Sequence, residues 1–332
     1  MSSKNPIRRI DLGLPRAEAS PRFAGWRTLY AMQTSSDSTV YRAAPADSAQ
    51  AEADYVLKTL SREASQRPDR RAAFQREALA AGAVQNPHLI PVLDGDLRGD
   101  RPFLVFPFLE GSTLRQAVSH RMPLSLPSAL WTIRQAAEAL MALHNAGYVH
   151  LDVKPENLHL SPRGHVTLLD LGSAQRVGER LHDLSGDVAY SAPEIWSTPY
   201  VASGTADVYS LGLTLFEALV GAPPCDATNA EEWIAFHKRG DSSDLREFLP
   251  NLPIELAQLV ESMLRKSPAR RPSLSEAREE LVRLEVATFR DRRSLLRPFD
   301  PDRPTGGDGS SARKSRPLAE RSASTNSVSK VG

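Results

Sequence analysis

The chain has a single cysteine, Cys225, which excludes an intramolecular disulfide and any cysteine-built zinc cage and fits a reducing compartment. No apolar run approaches the about 18–20 residues that a membrane span needs, and the opening MSSKNPIRRIDLG lacks the apolar centre of a secretory signal. Together these absences predict a cytoplasmic protein without a membrane span. A dominant charge is also missing. With 41 Lys and Arg against 40 Asp and Glu, no broad field exists to gather nucleic acid or an anionic membrane, so any anionic ligand must be held locally. His144, His159, His165 and His182 do not follow a metal-ligand spacing, and no zinc site is expected.

What remains is an ordinary globular composition, 41% hydrophobic and 24% charged over 332 residues, which rules out a chain dominated by disorder and a small isolated binding module. Residues 1–24 are polar and broken by proline, and read as a leader. From 25 to 108 short β-prone runs follow one another: RTLYAM, STVYRA, DYVLKTL, HLIPVLD and PFLVFPF. One helix interrupts them, starting near Asp69 and carrying Phe74, Glu77, Ala78 and Ala81 at helical spacing up to Gly82. The expectation is a small antiparallel lobe of five strands and one helix.

After Gly111 the period changes. Leu130, Ile133, Ala137, Leu140, Met141 and His144 recur every three or four residues and predict a long, buried helix. Two short strands, NLHL and HVTLLD, flank the turn SPRG, and further helices are expected at 205–220, 229–239, 254–266 and 274–287. Residues 109–288 therefore read as a second, mainly α lobe. Over 289–332 ten Lys and Arg stand against five Asp and Glu, among Pro, Gly and Ser, and predict a basic, largely disordered tail. The fold class is α+β with two lobes.

The chemistry concentrates in HLDVKPEN, His150 to Asn157, just beyond the long helix. Phosphoryl transfer needs a carboxylate to orient the attacking hydroxyl, a cation near the migrating phosphate and an oxygen donor for Mg²⁺. Asp152, Lys154 and Asn157 supply all three in one loop. Asp170, in LLDLG, follows an apolar strand and precedes Gly172, and can share a hard cation with Asn157.

These two motifs resemble the catalytic loop and the metal-binding motif of the eukaryotic-like, Hanks-type serine/threonine protein kinases. The Ala- and Arg-rich composition suggests a bacterial member. The resemblance extends over residues 26–285: APE at Ala192–Glu194 resembles the end of an activation segment, DVYSLG at Asp207–Gly212 the helix that braces the catalytic loop, and Arg271 the partner of Glu194. It implies a bilobal kinase fold and an enzyme that moves the γ-phosphate of ATP, with Mg²⁺ or Mn²⁺, to Ser or Thr of a protein substrate. Asp152 and Lys154 would be catalytic, and Asn157 and Asp170 would hold the metal. Lys58, in YVLK, would bind the α- and β-phosphates with Glu77 as its ion-pair partner. Phe106 would be the gatekeeper, with the Pro107 carbonyl and the Leu109 backbone on the adenine edge. Val40 and Val56 would cover the base from above, although ordinary core packing explains these apolar positions equally well. Nucleic acid is not an implied partner, and oligomeric state is not legible.

Three departures stand out. Gln33, Ser35 and Ser38 occupy the places of the three phosphate-loop glycines, and the serine hydroxyls are expected to compensate by donating to phosphate. Leu151 replaces the arginine that precedes the catalytic aspartate, which implies activity independent of phosphorylation at Ser173, Ser185 or Ser191. Asp187 stands where a threonine usually bridges the catalytic Asp and Lys, and either pairs with Lys154 or turns to solvent. Gln33, Ser35, Ser38 and Asp187 also motivate the alternative reading, a pseudokinase that binds nucleotide or a partner without transfer.

Overall fold

The computed structural model describes residues 22–48, 54–118, 122–181, 187–196, 199–239 and 244–290. All but the first two residues of the expected tail, nearly all of the expected leader, and Ser185 and His182 lie outside them. The described residues form two compact units. The first runs to Arg70 and resumes over Leu93–Phe108; the second takes Arg71–Val92 and continues from Leu109.

The first unit is built on a six-stranded antiparallel sheet: β1 (Arg22–Phe23), β2 (Trp26–Thr34), β3 (Ser38–Pro45), β4 (Tyr55–Leu60), β5 (Asp94–Asp96) and β6 (Phe103–Pro107), in the spatial order β1-β2-β3-β4-β6-β5. Alternate residues of these strands turn inward, and Trp26, Ala43, Leu57, Phe103 and Val105 form a common apolar core. The Trp26 indole N–H donates to Asp94 Oδ2 at 2.7 Å, tying β2 to β5. Directly opposed residues of antiparallel strands share a face. Val40 opposes Lys58, which opposes Leu104, and Arg42 opposes Val56, which opposes Phe106. Val40, Val56, Lys58 and Phe106 therefore lie on one face of the sheet.

One expected strand is displaced. In HLIPVLD the β-prone residues flank Pro91, but the paired strand begins only at Asp94. Leu89 and Ile90 instead dock on the second unit's own chain, where the Ile90 N–H donates to the Leu168 carbonyl at 3.0 Å. The short helix α1 (Arg62–Ser65), capped by the Ser61 side chain, precedes α2 (Pro68–Gly82), which spans the predicted helix.

In the second unit β7 (Ser112–Thr113) and α3 (Leu114–Val118) lead to α4 (Leu126–Asn145), the long helix of the sequence pattern. Its Ser125 cap accepts from the Ser128 N–H, Pro127 sits in the first turn, and Leu130, Ile133, Ala137 and Leu140 are fully buried. After β8 (Tyr148–Val149), β9 (Leu158–Leu160) and β10 (Val166–Leu168) pair antiparallel across a turn at Gly164, with Val166 opposite Leu160. β11 (Gln175–Arg176) pairs with β8, and β12 (Arg180–Leu181) with β13 (Tyr200–Val201). The helices α5 (Gly204–Val220), α6 (Ala230–Lys238), α7 (Leu245–Phe248), α8 (Ile254–Met263) and α9 (Leu274–Arg290) complete the unit. α5 is buried almost throughout, starts on a Ser203 cap and ends at Gly221 in the left-handed conformation. No helix among the described residues is long and apolar enough to cross a membrane.

Candidate active site

The HLDVKPEN loop is held in place by a buried carboxylate. Asp207, in the first turn of α5, is fully buried and accepts from the backbone N–H groups of His150 and Leu151, each at 2.8 Å, and from His144 Nε2 at 2.8 Å. Burial alone would push its carboxyl up, but the His144 hydrogen bond and charge, together with His150, hold it below the ordinary aspartate value. Leu151 sits at φ 62°, a conformation costly for a branched side chain. Asp207 keeps it there by holding the two amides that lead into the bend, and the Leu151 side chain is buried.

From this bend the chain presents Asp152. Its N–H donates to His150 Nδ1 at 3.2 Å, and His150 in turn donates Nε2–H to the Leu169 carbonyl at 3.1 Å. The Asp152 carboxylate receives Lys154 Nζ at 3.0 Å, Asn157 Nδ2 at 2.9 Å and the Asp187 N–H at 3.3 Å. Burial works against the Lys154 charge, yet Asp152, then Asp187 and Glu156, hold its pKa above the ordinary lysine value.

Asp187 does not turn to solvent. Its Oδ2 lies 3.7 Å from Lys154 Nζ, while Oδ1 accepts from the Ala189 N–H and caps the 3₁₀ turn Val188–Tyr190. The turn is fastened further by Ser191 Oγ donating to the Asp187 carbonyl and Ser210 Oγ donating to the Tyr190 carbonyl.

Asn157 brings the second expected motif alongside. Its Nδ2 is spent on Asp152, which leaves Oδ1 as an oxygen donor, and its backbone carbonyl accepts from the Leu169 N–H at 2.8 Å. The next residue, Asp170, has φ 56°, and its Oδ1 accepts from the Gly172 N–H at 3.2 Å. A Cβ placed on Gly172 would lie 3.2 Å from Asp170 Oδ1 and 3.8 Å from Glu77 Oε2. The buried Glu77 carboxylate of α2 thus stands beside Asp170. Asn157 and Asp170 each present the kind of oxygen that a hard divalent cation takes.

Glu194 and Arg271 meet as expected. The guanidinium donates to Glu194 Oε1 and Oε2 at 2.5 and 2.7 Å, to the carbonyls of Arg265 and Thr205 at 2.7 and 2.8 Å, and to that of Lys266 at 3.2 Å. Sequence reasoning missed a second charged cluster: Arg115 of α3 donates to Glu156, Glu217 and Tyr190, and Tyr190 also donates to Glu217. The signal was Glu217 itself, a buried carboxylate in the mainly apolar second half of α5, which had to find a cation.

The first unit carries the other expected residues except Leu109, which belongs to the second. Lys58, on β4, is half-buried between Val40 and Leu104, and Phe106 is buried on β6. Pro107 ends β6, the Phe108 N–H donates to the Asp54 carbonyl at 2.8 Å, and Leu109 is half-buried. At the phosphate-loop tip the Ser35 N–H donates to the Ser38 carbonyl at 2.9 Å, and the Ser38 N–H to Ser35 Oγ at 3.1 Å. Ser35 Oγ itself lies 3.1 Å from the Ser38 carbonyl and 3.3 Å from Ser38 Oγ, so the two serines satisfy one another rather than leaving Ser35 open to a ligand. The tip is fastened to the β4–α1 junction: Ser61 donates from N–H to the Asp37 carbonyl and from Oγ to the Ser36 carbonyl, and Asp37 pairs with Arg70 at 3.0 Å.

The family description protein kinase domain matches residues 36–282. The chain belongs to that family. It is 33% identical over 222 residues to the serine/threonine-protein kinase PknD of Mycobacterium tuberculosis, covering 65% of this chain and 33% of that protein. It is 34% identical over 218 residues to PknH of Mycobacterium bovis (64% and 36%), and 30% identical over 262 residues to PknB of Mycobacterium tuberculosis (73% and 42%). The chain thus spans about a third to two fifths of the length of these relatives.

Proposed function

We propose that the chain is an ATP-dependent protein serine/threonine kinase. The observation that carries this reading is the Asp152 carboxylate, oriented by Lys154, Asn157 and the Asp187 N–H together. A carboxylate fixed in this way can orient a substrate hydroxyl and accept its proton, and Lys154 can follow the charge that develops on the transferred phosphoryl group. Asn157 and Asp170 would hold Mg²⁺ or Mn²⁺; a bound divalent cation neutralises the phosphate oxygens and leaves the transfer less costly. Lys58 would bind the α- and β-phosphates, with Glu77 as its partner. Phe106, Pro107, Leu109, Val40 and Val56 would shape the adenine side. The acceptor would be a Ser or Thr of a protein, in line with the lysine two residues beyond Asp152 and with the names of the relatives. A cytoplasmic place, where ATP is available, fits this activity.

Incubation with γ-labelled ATP and Mg²⁺ or Mn²⁺ tests the proposal. Label should enter protein Ser or Thr with the wild-type chain, and fall by at least about 100-fold in Asp152→Ala and Lys58→Ala variants. Absence of incorporation with either metal would leave a nucleotide- or partner-binding pseudokinase.

A further inference from the structure

α6 carries a histidine that the catalytic reading leaves without a task. His237 is 0% exposed, packed in a stack on Trp233 with ring centroids 5.8 Å apart. Its Nε2 lies 2.9 Å from the Val188 carbonyl and its Nδ1 lies 3.0 Å from the hydroxyl of Tyr209, also fully buried. Lys266 Nζ donates to that hydroxyl at 3.2 Å.

The chemistry of these groups fixes every role. A carbonyl can only accept, so the imidazole presents Nε2–H to Val188 and keeps a lone pair on Nδ1. Tyr209 must then donate its proton to Nδ1, and its oxygen accepts from the Lys266 ammonium. A one-way chain of donors runs from Lys266 through Tyr209 and His237 to the Val188 carbonyl, each bond polarising the next. Burial, with the Lys266 charge adding to it, pushes the imidazole down to about 4, so the chain keeps this polarity at any ordinary pH. Val188 directly follows Asp187, whose N–H sits on Asp152 and whose carboxylate faces Lys154.

We propose that His237 is a positioning residue for phosphoryl transfer: by holding the Val188 carbonyl it keeps the Asp187 main chain on Asp152, and so fixes the carboxylate that orients the acceptor hydroxyl. The proposal rests on the kinase reading above for its catalytic consequence, but not for the strut itself. The Val188 carbonyl also receives the Ser191 N–H at 3.4 Å, a longer contact than the 2.9 Å to His237, and the remaining fasteners, Ser191 Oγ on the Asp187 carbonyl and Ser210 Oγ on the Tyr190 carbonyl, do not touch it. Without the imidazole that carbonyl keeps only the long Ser191 contact and turns toward water, and the turn beside Asp152 moves with it.

Three substitutions separate positioning from packing. In His237→Gln the carboxamide nitrogen reaches the place of Nε2 and can donate to Val188; in His237→Asn it falls short; in His237→Leu no donor remains. Two readouts are taken on the full chain: label transfer from ATP to a protein acceptor, and hydrogen–deuterium exchange of the peptide holding Asp187 to Ser191. We expect kcat to fall about 10-fold or more in the Asn and Leu variants, the effect of a displaced catalytic group, with KM for ATP within about 2-fold. Exchange at the Asp187 and Tyr190 amides should quicken in the same two variants, and Gln should restore both readouts to within about 3-fold. The proposal is overturned if Asn and Leu match the wild type in both readouts, or if Gln falls as far as Leu, which would mark a packing role only. Should the Leu variant not fold, the Gln and Asn pair decides. Should the wild type transfer no label, the kinase reading fails, and exchange alone still accepts or rejects the strut.

Discussion

Replacing Arg271 by lysine keeps the charge and removes the fork. The guanidinium has five N–H donors, and all five are engaged: two on the Glu194 carboxylate and three on the carbonyls of Arg265, Thr205 and Lys266. Lysine offers three donors on one atom, so at least two of these acceptors lose their partner. With the Arg271 side chain 0% exposed and that of Glu194 only 16% exposed, water cannot readily take its place. One bond to the carboxylate, at roughly 1.5–3 kcal/mol, and one to a carbonyl, at roughly 0.5–1.5 kcal/mol, give an expected loss of about 2–4 kcal/mol. Methionine, which strands the carboxylate altogether, should cost about 3–5 kcal/mol. For a unit of this size that is a Tm decrease on the order of 10 °C. Urea titration and thermal unfolding followed by near-UV circular dichroism measure both. Because the loss comes from an unpaired carboxylate, adding Glu194→Gln to the methionine variant should return about half of it. A lysine variant within about 0.5 kcal/mol of the wild type, or a double variant no more stable than methionine alone, would refute the reasoning.

Gly111 has φ 128°, and a Cβ there would lie 2.0 Å from the Leu160 carbonyl oxygen, so Gly111→Ala should destabilise the protein by about 3 kcal/mol or more in the same urea assay. The depressed His237 pKa, about 4 against an ordinary 6.5, makes the folded state bind fewer protons than the unfolded one between those values. Its stabilising effect is complete above about pH 6.5 and is lost as pH falls toward 4, by about 3 kcal/mol in all; stability measured across that window should slope upward with pH, and more gently in His237→Gln. With a buried Leu151 in place of the usual arginine, phosphatase treatment and the Ser173→Ala and Ser185→Ala substitutions should leave label transfer within about 2-fold of the untreated protein. A loss rescued by Glu at either position would contradict this.

The catalytic loop was readable because its geometry is made locally. HLDVKPEN contains the donor, the acceptor and the bend, while Asp207, itself inside a recognisable string, and the Asp187 N–H come from afar. Lys58 was legible through the YVLK string, and the strand register sets it beside Val40. What escaped depended on partners distant in the chain. Nothing near His237 announces Val188, 49 positions away, and Arg115 reaches Glu217 across 102 positions. In HLIPVLD the residue types favour a strand, but the backbone partner of Ile90 is Leu168, and composition does not reveal which edge a run will meet. The spacing located Ser35 and Ser38 without telling where their hydroxyls would go. A side chain that can bond its own neighbour does so when the hairpin brings them within reach.

That hairpin has a kinetic corollary. Its tip is closed on itself and stitched to the Ser61 corner and to Arg70, so it has little travel left. A segment without slack makes a poor gate, and the traffic of nucleotide in and out would be timed by whatever else grips the phosphates.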